Sequence, residues 1–145
     1  MPDRPVKSVI ENKPFVTAPT DTSVCDAARM LKEQRNEGAV LVVDNGALVG
    51  ICTERDIVFK VVATGGDPSA TTVSDVMTPD PVTITADKPF AHALHMMFEG
   101  GFRHVPVVGD AGEPIGLVSA RDALGLDVLQ FEQDLMLREG LSEVM

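Results

Sequence analysis

The sequence predicts a mixed α/β (α+β) fold, made of two β-α-β-β-α repeats packed as a pseudo-twofold pair with an extra C-terminal helix. The first observation is a repeated motif: Gly50 to Asp56 is GICTERD, and Gly116 to Asp122 is GLVSARD. The two copies lie 66 residues apart, close to half of the 145-residue chain, and such a period is typical of a chain with two similar units. The second observation is that the same order of apolar patterns precedes each copy.

Each repeat begins with a short strand and an amphipathic helix. The predicted first strands are Val16-Thr17 and Val82-Thr83, again 66 residues apart. Apolar residues then follow at i, i+3, i+4 and i+7, which is the spacing of one buried helix face. These residues are Val24, Ala27, Ala28 and Leu31 in the first repeat, and Phe90, Ala93, Leu94, Met97 and Phe98 in the second.

A hairpin and a closing helix complete each repeat. The continuous β-branched runs at 39–43 and 105–108 predict buried strands, and Asn45-Gly46 is a strong hairpin signal. Thr53 and Ser119 each occupy the N-cap position of a last helix and have an Asp three residues later, as in a capping box. The returning strands are residues 47–52 and 114–118, and the closing helices are 54–63 and 120–126.

The predicted boundaries are 6–66 for the first repeat with its lead-in, 67–126 for the second with the linker, and 127–145 for a C-terminal helical tail. A unit of about 60 residues has little core of its own, so we expect one core shared by both repeats. The tail has more apolar surface than a solvated helix needs. Two interpretations stay open: it docks on its own domain, or it forms a subunit interface. Residues 1–15 are expected to lie beside it.

Composition narrows the class of partner. The net charge of −10 opposes binding to nucleic acid phosphates, and the aromatic content of 4%, with no Trp or Tyr, argues against base stacking. No apolar run approaches the ~18 residues of a membrane span, and the N-terminus lacks an apolar signal core. Cys25 and Cys52 have no metal-type spacing and predict buried thiols in a reducing compartment. We therefore expect a cytoplasmic protein that binds neither nucleic acid nor membrane.

The repeated motif places a hydroxyl, a guanidinium and a carboxylate close together, twice. These groups match the phosphate and the ribose hydroxyls of a nucleotide. Asp56 and Asp122 either accept hydrogen bonds from a ribose diol or only stabilise their own helix N-termini. Thr53 and Ser119 are N-caps and also candidate phosphate contacts. Arg55 and Arg121 either bind phosphate or are solvated.

The motif Gly-h-x-Thr/Ser-x-Arg-Asp, present twice, resembles the signature of cystathionine-β-synthase-type (CBS) domains. The linker Val76-Met77-Thr78-Pro79 and the segment Arg103 to Val108 (RHVPVV) are similar to that family too. The resemblance covers Val6 to about Leu126. It implies a CBS pair, or Bateman module, that binds AMP, ADP, ATP or S-adenosylmethionine between the repeats, dimerises, and regulates a partner protein. With no catalytic domain in this sequence, we expect a stand-alone module without catalytic cofactor or enzymatic activity.

The resemblance also implies two unequal clefts. Arg103 and His104 are expected to bind phosphate, whereas Gly38 and Ala39 at the equivalent place in the first repeat offer no cation. The cleft with Ser119 and Asp122 would combine Arg103 and His104 with Thr17 and with Gly38, Ala39 and Val40. The cleft with Thr53 and Asp56 would borrow Thr83, Val105 and the adjoining Pro106. Val40 and Val105 would flank an adenine, and we expect the Asp122 cleft to dominate.

Other chemistries have weaker support. His92, His95 and Glu99 share a helix face, but we interpret them as solvated rather than as a metal site. The sequence has no Walker-type or dinucleotide-type Gly-rich loop and no pattern that indicates a nucleophile. The alternative to ligand sensing is a structural dimerisation module with degenerate, non-binding clefts.

Overall fold

The computed structural model describes residues 4–34 and 38–124. The helices are α1 (Val6–Ile10), α2 (Val24–Gln34), α3 (Glu54–Ile57), α4 (Val73–Val76) and α5 (Phe90–Gly100). The strands are β1 (Val16–Pro19), β2 (Ala39–Asp44), β3 (Ala47–Thr53), β4 (Thr78–Pro79), β5 (His104–Val108) and β6 (Pro114–Ser119). Helix α3 continues as a π-helical segment, Val58–Val62, and residues 121–124 are helical. The predicted tail at 127–145 lies outside the described residues.

The strands form one sheet for each repeat. The first sheet has the order β1-β2-β3-β4, with β1 parallel to β2 and the other neighbours antiparallel. The second is the antiparallel hairpin β5-β6. The strand expected at Val82-Thr83 is reduced and shifted to one parallel bridge between Ile84 and Val107. The preceding linker strand, β4, pairs with β3 of the first sheet.

Three apolar clusters hold the molecule together, rather than the single shared core that we expected. One cluster belongs to the first repeat and joins residues such as Val24, Leu31 and Val42. A second belongs to the second repeat, around Phe90 and Val105. The third and smallest is shared, because Leu117 of β6 packs against first-repeat residues. Those first-repeat residues are Ala39, Leu41 and Ile51.

The segment that leads into each repeat packs on the core of the other repeat. Helix α1 precedes the first repeat, yet Val6 and Val9 are buried in the second cluster. Helix α4 precedes the second repeat, yet Val73 and Val76 are buried in the first cluster. The two repeats therefore exchange their lead-in segments, and the core of each repeat is completed by the lead-in of the other.

Backbone hydrogen bonds fix this exchange on the first core. The amide of Val24, the first residue of α2, donates to the Thr71 carbonyl over 2.8 Å. The amide of Val73 donates to the Thr22 carbonyl over 2.8 Å. The N-terminal turns of α2 and α4 thus satisfy each other's otherwise unpaired groups.

The same pair of bonds recurs on the second core. The amide of Phe90 donates to the Arg4 carbonyl over 2.7 Å, and the amide of Val6 donates to the Lys88 carbonyl over 2.8 Å. The guanidinium of Arg4 also lies 5.1 Å from the ring centroid of Phe90. The pseudo-twofold relation predicted from the motif therefore extends to the individual hydrogen bonds of the exchange.

The predicted helix faces are correct at most positions. Val24, Ala27 and Leu31 are buried on α2, and so are Phe90, Ala93 and Met97 on α5. Ala28 is exposed, and Phe98 is 87% exposed. These two residues therefore lie outside the buried face of their helices.

We predict that Gly116→Ala destabilises the fold more than Gly50→Ala, the equivalent change in the first repeat. A Cβ at Gly116 would lie 2.7 Å from Cγ2 and 2.8 Å from Cβ of Ile10, a β-branched residue that cannot rotate away easily. A Cβ at Gly50 would meet the flexible side chain of Met77 instead. Urea unfolding should give a loss of about 1–3 kcal/mol for Gly116→Ala. An equal or larger loss for Gly50→Ala would contradict the prediction.

Candidate functional site

A cleft of about 860 Å³ lies between the two repeats. Its volume is within the roughly 300–1,000 Å³ of small-molecule sites. Both repeats contribute their motif to its walls. The sequence-predicted residues that line it are Gly38, Thr53, Arg55, Asp56, Arg103, His104, Ser119 and Arg121.

Asp56 is held rigidly at the start of α3. Its Oδ2 accepts a hydrogen bond from the amide of Thr53 over 2.9 Å, and its own amide donates to Oγ1 of Thr53 over 3.2 Å. This is a complete capping box, as the sequence predicted. The other carboxylate oxygen, Oδ1, lies 3.0 Å from Nζ of Lys60, one turn further on. The capping interpretation of Asp56 is therefore confirmed, and Asp56 is also one of the residues that line the cleft.

The second repeat forms only half of this capping box. The amide of Ser119 donates to Oδ2 of Asp122 over 2.7 Å. The Oγ of Ser119, however, is buried and has no hydrogen-bond partner among the residues that the structure describes. Ser119 lines the cleft and is only 2% exposed. A buried hydroxyl without a partner is costly, so a ligand group that bonds to it would remove that cost.

Asp122 itself is not among the residues that line the cleft. Its Oδ2 lies 2.6 Å from Nζ of Lys13, a residue of the first lead-in. Arg4 of the same lead-in donates from Nη2 to the backbone carbonyl of Asp122 over 3.1 Å. Of the two motif aspartates, Asp56 lines this cleft and Asp122 does not, whereas the sequence led us to expect the Asp122 cleft to dominate.

The helix N-termini in the cleft are already largely satisfied. The amide of Glu54 donates to the Gly38 carbonyl over 2.8 Å, and the amide of Ala120 donates to the Arg103 carbonyl over 3.0 Å. The amides of Thr53 and Ser119 are bonded as well, to the carboxylates of Asp56 and Asp122. A ligand could bond to these four amides only by breaking a hydrogen bond that the fold already makes.

Three guanidinium groups line the cleft, from Arg55, Arg103 and Arg121. The guanidinium of Arg55 lies 5.0 Å from the ring centroid of Phe59, which orients it. All three side chains are exposed at the cleft surface. The net charge of the chain is −10, so its overall electrostatic field repels anions. The three arginines create a local positive potential that attracts an anion to the cleft.

Several predicted site residues do not line the cleft. Thr17 and Thr83 are exposed elsewhere. The remaining ones are buried in the strands: Ala39, Val40, Val105 and Pro106. Val40 and Val105 have no exposed surface, because each belongs to the apolar cluster of its own repeat. Neither side chain is placed to flank an adenine in this conformation.

Part of the cleft wall consists of residues that were not predicted from the sequence. Thr78, Asp80, Pro81 and Val82 line the cleft because β4 brings the linker alongside β3. Phe102, just before β5, lines it as well. The Met77-Thr78-Pro79 segment that supported the family resemblance was the available signal for the linker's role.

Cys52 lies under the site as an inert group. It is fully buried on β3, and burial, with a smaller contribution from the negative charge of Asp56, raises the pKa of its thiol to about 11. Neither cysteine forms a disulfide.

Within residues 4–34 and 38–124, no group of three or more metal-ligating side chains comes together, and no helix is long and apolar enough to span a membrane.

The comparisons identify the family. The model of the CBS domain matches twice, at residues 6–63 and 73–128. The chain is 38% identical over 122 residues to the CBS domain-containing protein CBSCBSPB3 of Arabidopsis thaliana, covering 84% of this chain and 22% of that protein. The chain thus spans about a fifth of that relative's length.

Solved structures agree with this assignment. The CBS domain pair of protein MJ0100, in complex with methylthioadenosine and S-adenosyl-L-methionine, is 32% identical with a TM-score of 0.75, covering 84% of this chain and 98% of that one. The CBS domain protein PAE2072 of Pyrobaculum aerophilum, complexed with AMP, is 25% identical with a TM-score of 0.74, covering 87% and 98%.

The chain belongs to the CBS domain family and carries two CBS domains as a pair. The resemblance stated from the motifs and the predicted fold class are both confirmed. CBS pairs are regulatory modules and are generally non-catalytic.

We predict that Cys52 resists alkylation in the folded protein and that Cys25 reacts. Raising the thiol pKa from 9.0 to about 11 lowers the thiolate fraction at pH 8 about 100-fold, and burial blocks access further. Iodoacetamide labelling of Cys25→Ala and Cys52→Ala, followed by mass spectrometry, compares the two thiols separately. Similar rates for both would contradict the prediction.

The same pKa shift sets a sign for stability against pH. Because the pKa of the Cys52 thiol is higher in the folded state, the contribution of the protonated thiol to the free energy of unfolding is complete below pH 9.0. It is lost as pH rises towards about 11. The wild type should therefore lose more stability than Cys52→Ala over that window in urea unfolding.

Proposed function

We propose that this chain is a non-catalytic regulatory module that binds an adenosine-containing ligand between its CBS domains and modulates a partner protein. The observation that carries the proposal is that Asp56 of the first repeat and Arg103 of the second line one cleft. A carboxylate suits a ribose diol, and a guanidinium suits a phosphate. The complexes of MJ0100 and PAE2072 with adenosyl ligands support the same ligand class.

Within that class we propose a phosphate-bearing ligand, AMP, ADP or ATP, ahead of S-adenosylmethionine. Three arginines line the cleft, and a guanidinium binds phosphate oxygens in a bidentate manner. Ile51, Val82 and Phe102 add apolar surface to the same walls, as an adenine ring requires. The unpartnered Oγ of Ser119 is a further donor for a phosphate oxygen.

The output of the module in this proposal is a change of shape or of partner affinity. A ligand shifts a protein between conformations only as far as its affinities for the two differ. A cleft whose walls come from both repeats meets this requirement, since closing it on a ligand moves one repeat against the other.

We propose a cytoplasmic setting as well, supported by the two free thiols.

Self-association is part of the proposal and also its main alternative. Val58, Phe59 and Val62 on the π-helical segment are exposed, with Phe59 at 56%, and Phe98 is the most exposed apolar side chain among the described residues. Exposed apolar groups of this kind favour a homodimer. If the cleft binds nothing, a structural dimerisation module becomes the better interpretation.

We predict that AMP, ADP or ATP raises the melting temperature of the wild type and that Asp56→Asn loses most of this effect. A ligand at 100 times its Kd adds ~2.7 kcal/mol to stability. Losing the charged acceptor should weaken binding about 10- to 100-fold, while an Asn side chain still accepts the cap bond from Thr53.

The matched control for this experiment is Asp26→Asn, which changes an exposed Asp on α2. It should bind like the wild type. A melting temperature that none of the nucleotides nor S-adenosylmethionine shifts would overturn the proposed function.

We predict that Arg103→Ala weakens AMP about tenfold and leaves adenosine almost unchanged, because the guanidinium would contact only the phosphate. Calorimetric titration with both ligands measures the difference. Arg29→Ala, an exposed arginine on α2 paired with Asp26, is the charge-matched control. Equal weakening of AMP and adenosine by Arg103→Ala would show that Arg103 does not read the phosphate.

A further inference from the structure

We infer that Lys13 is an internal occupant of the second repeat's half-site, at the carboxylate of Asp122, and that it closes this half-site to a ligand. The CBS pair then binds one nucleotide, at Asp56, and Lys13 limits the number of bound nucleotides to one. The ligand chemistry rests on the proposed function, whereas the position of Lys13 does not.

The two aspartates begin from equivalent positions. Each accepts a hydrogen bond at Oδ2 from the amide of its cap residue, over 2.9 Å for Asp56 and 2.7 Å for Asp122. Asp56 faces the cleft and pairs with Lys60 of its own helix, which is 48% exposed at the side chain. The pairing partner of Asp56 therefore sits at the surface.

The partner of Asp122 comes from a distant segment and is enclosed. Nζ of Lys13 lies 2.6 Å from Oδ2 of Asp122 and donates over 2.9 Å to the carbonyl of Leu117. The side chains of Lys13 and Asp122 are only 17% and 12% exposed. A ribose diol that approached this carboxylate would have to displace an ammonium that already has two oxygen acceptors.

This arrangement exists on one side of the pseudo-twofold axis only. The residue 66 positions after Lys13 is Pro79, which carries no cation. Pro79 lies in β4 opposite Gly50, and Gly50 is the counterpart of Gly116, next to the Leu117 that accepts from Lys13. The two segments thus occupy equivalent places, and only the first one supplies a positive charge at this position.

The backbone of Lys13 is anchored, which keeps its side chain in reach of Asp122. Its amide donates to the carbonyl of Ile10 over 3.1 Å. Ile10 packs closely over Gly116 of β6. Arg4, at the other end of the lead-in, holds the carbonyl of Asp122. The lead-in therefore contacts both the main chain of Asp122, through Arg4, and its side chain, through Lys13.

Calorimetric titration with AMP tests the proposal on the wild type, Lys13→Met and Lys7→Met. Lys7→Met is the matched control, since it removes the same charge from an exposed position on the same lead-in. We expect one AMP per chain for the wild type and for Lys7→Met. Lys13→Met should bind a second AMP, at least about tenfold tighter than any second event of the wild type.

Two results would overturn the proposal. One AMP per chain with unchanged affinity in Lys13→Met would show that Lys13 does not close the half-site. Weaker binding of the first AMP, with adenosine unaffected, would show that Lys13 is a phosphate ligand instead.

A second variant keeps the proposal testable if Lys13→Met does not fold. Asp122→Asn keeps a polar side chain of the same shape and removes the charge that holds Lys13. It should bind one AMP like the wild type, and acetylation of Lys13 by an N-hydroxysuccinimide ester should rise about tenfold, towards the rate of Lys7. Unchanged acetylation of Lys13, or loss of AMP binding, would contradict the inference.

The acetylation readout needs no ligand, so the two proposals fail separately. If AMP binds neither the wild type nor Lys13→Met, the assignment of AMP as ligand fails. Protection of Lys13 in the wild type and its release in Asp122→Asn would still establish that Lys13 occupies the half-site.

Discussion

The exchange of lead-in segments is the constraint on which the rest of this structure depends. Val6 and Val9 complete the second core, and Val73 and Val76 complete the first. Because each exchange is fixed by reciprocal backbone hydrogen bonds, pulling the two repeats apart would break bonds in both. The two motifs face one cleft as a result of this fixed relation. The cleft is thus built on packing between chain segments that are far apart in sequence.

On this symmetric frame the charges are distributed asymmetrically. The backbone bonds, the capping aspartates and the strand registers repeat from one half to the other. The cations do not: Arg103 has Gly38 as its counterpart, and Lys13 has Pro79. Backbone geometry must be shared for the halves to fit together, whereas a side chain that takes no part in the shared packing can change in one half alone. Function can therefore diverge between two half-sites while the fold stays the same.

Local features were predictable from the sequence and long-range pairings were not. The hairpins, the buried faces of α2 and α5 and the capping box at Thr53 follow from residue spacing within a few turns of chain, and a second copy of each pattern made them more secure. The partnership of Lys13 with Asp122, by contrast, joins residues 109 positions apart. No periodicity encodes that contact, and the Lys13 segment has no matching cation in the other repeat.

The exchanged lead-ins also bear on how such a chain can arise. One β-α-β-β-α unit with its own lead-in would leave its core uncovered and its lead-in without a place to bind. It would be complete only when two copies traded lead-ins, as in a domain-swapped homodimer. Duplication and fusion of such a unit would turn an exchange between chains into one within a chain. Once fused, the two halves were free to accept different mutations, and Lys13 is a residue that only one of them carries.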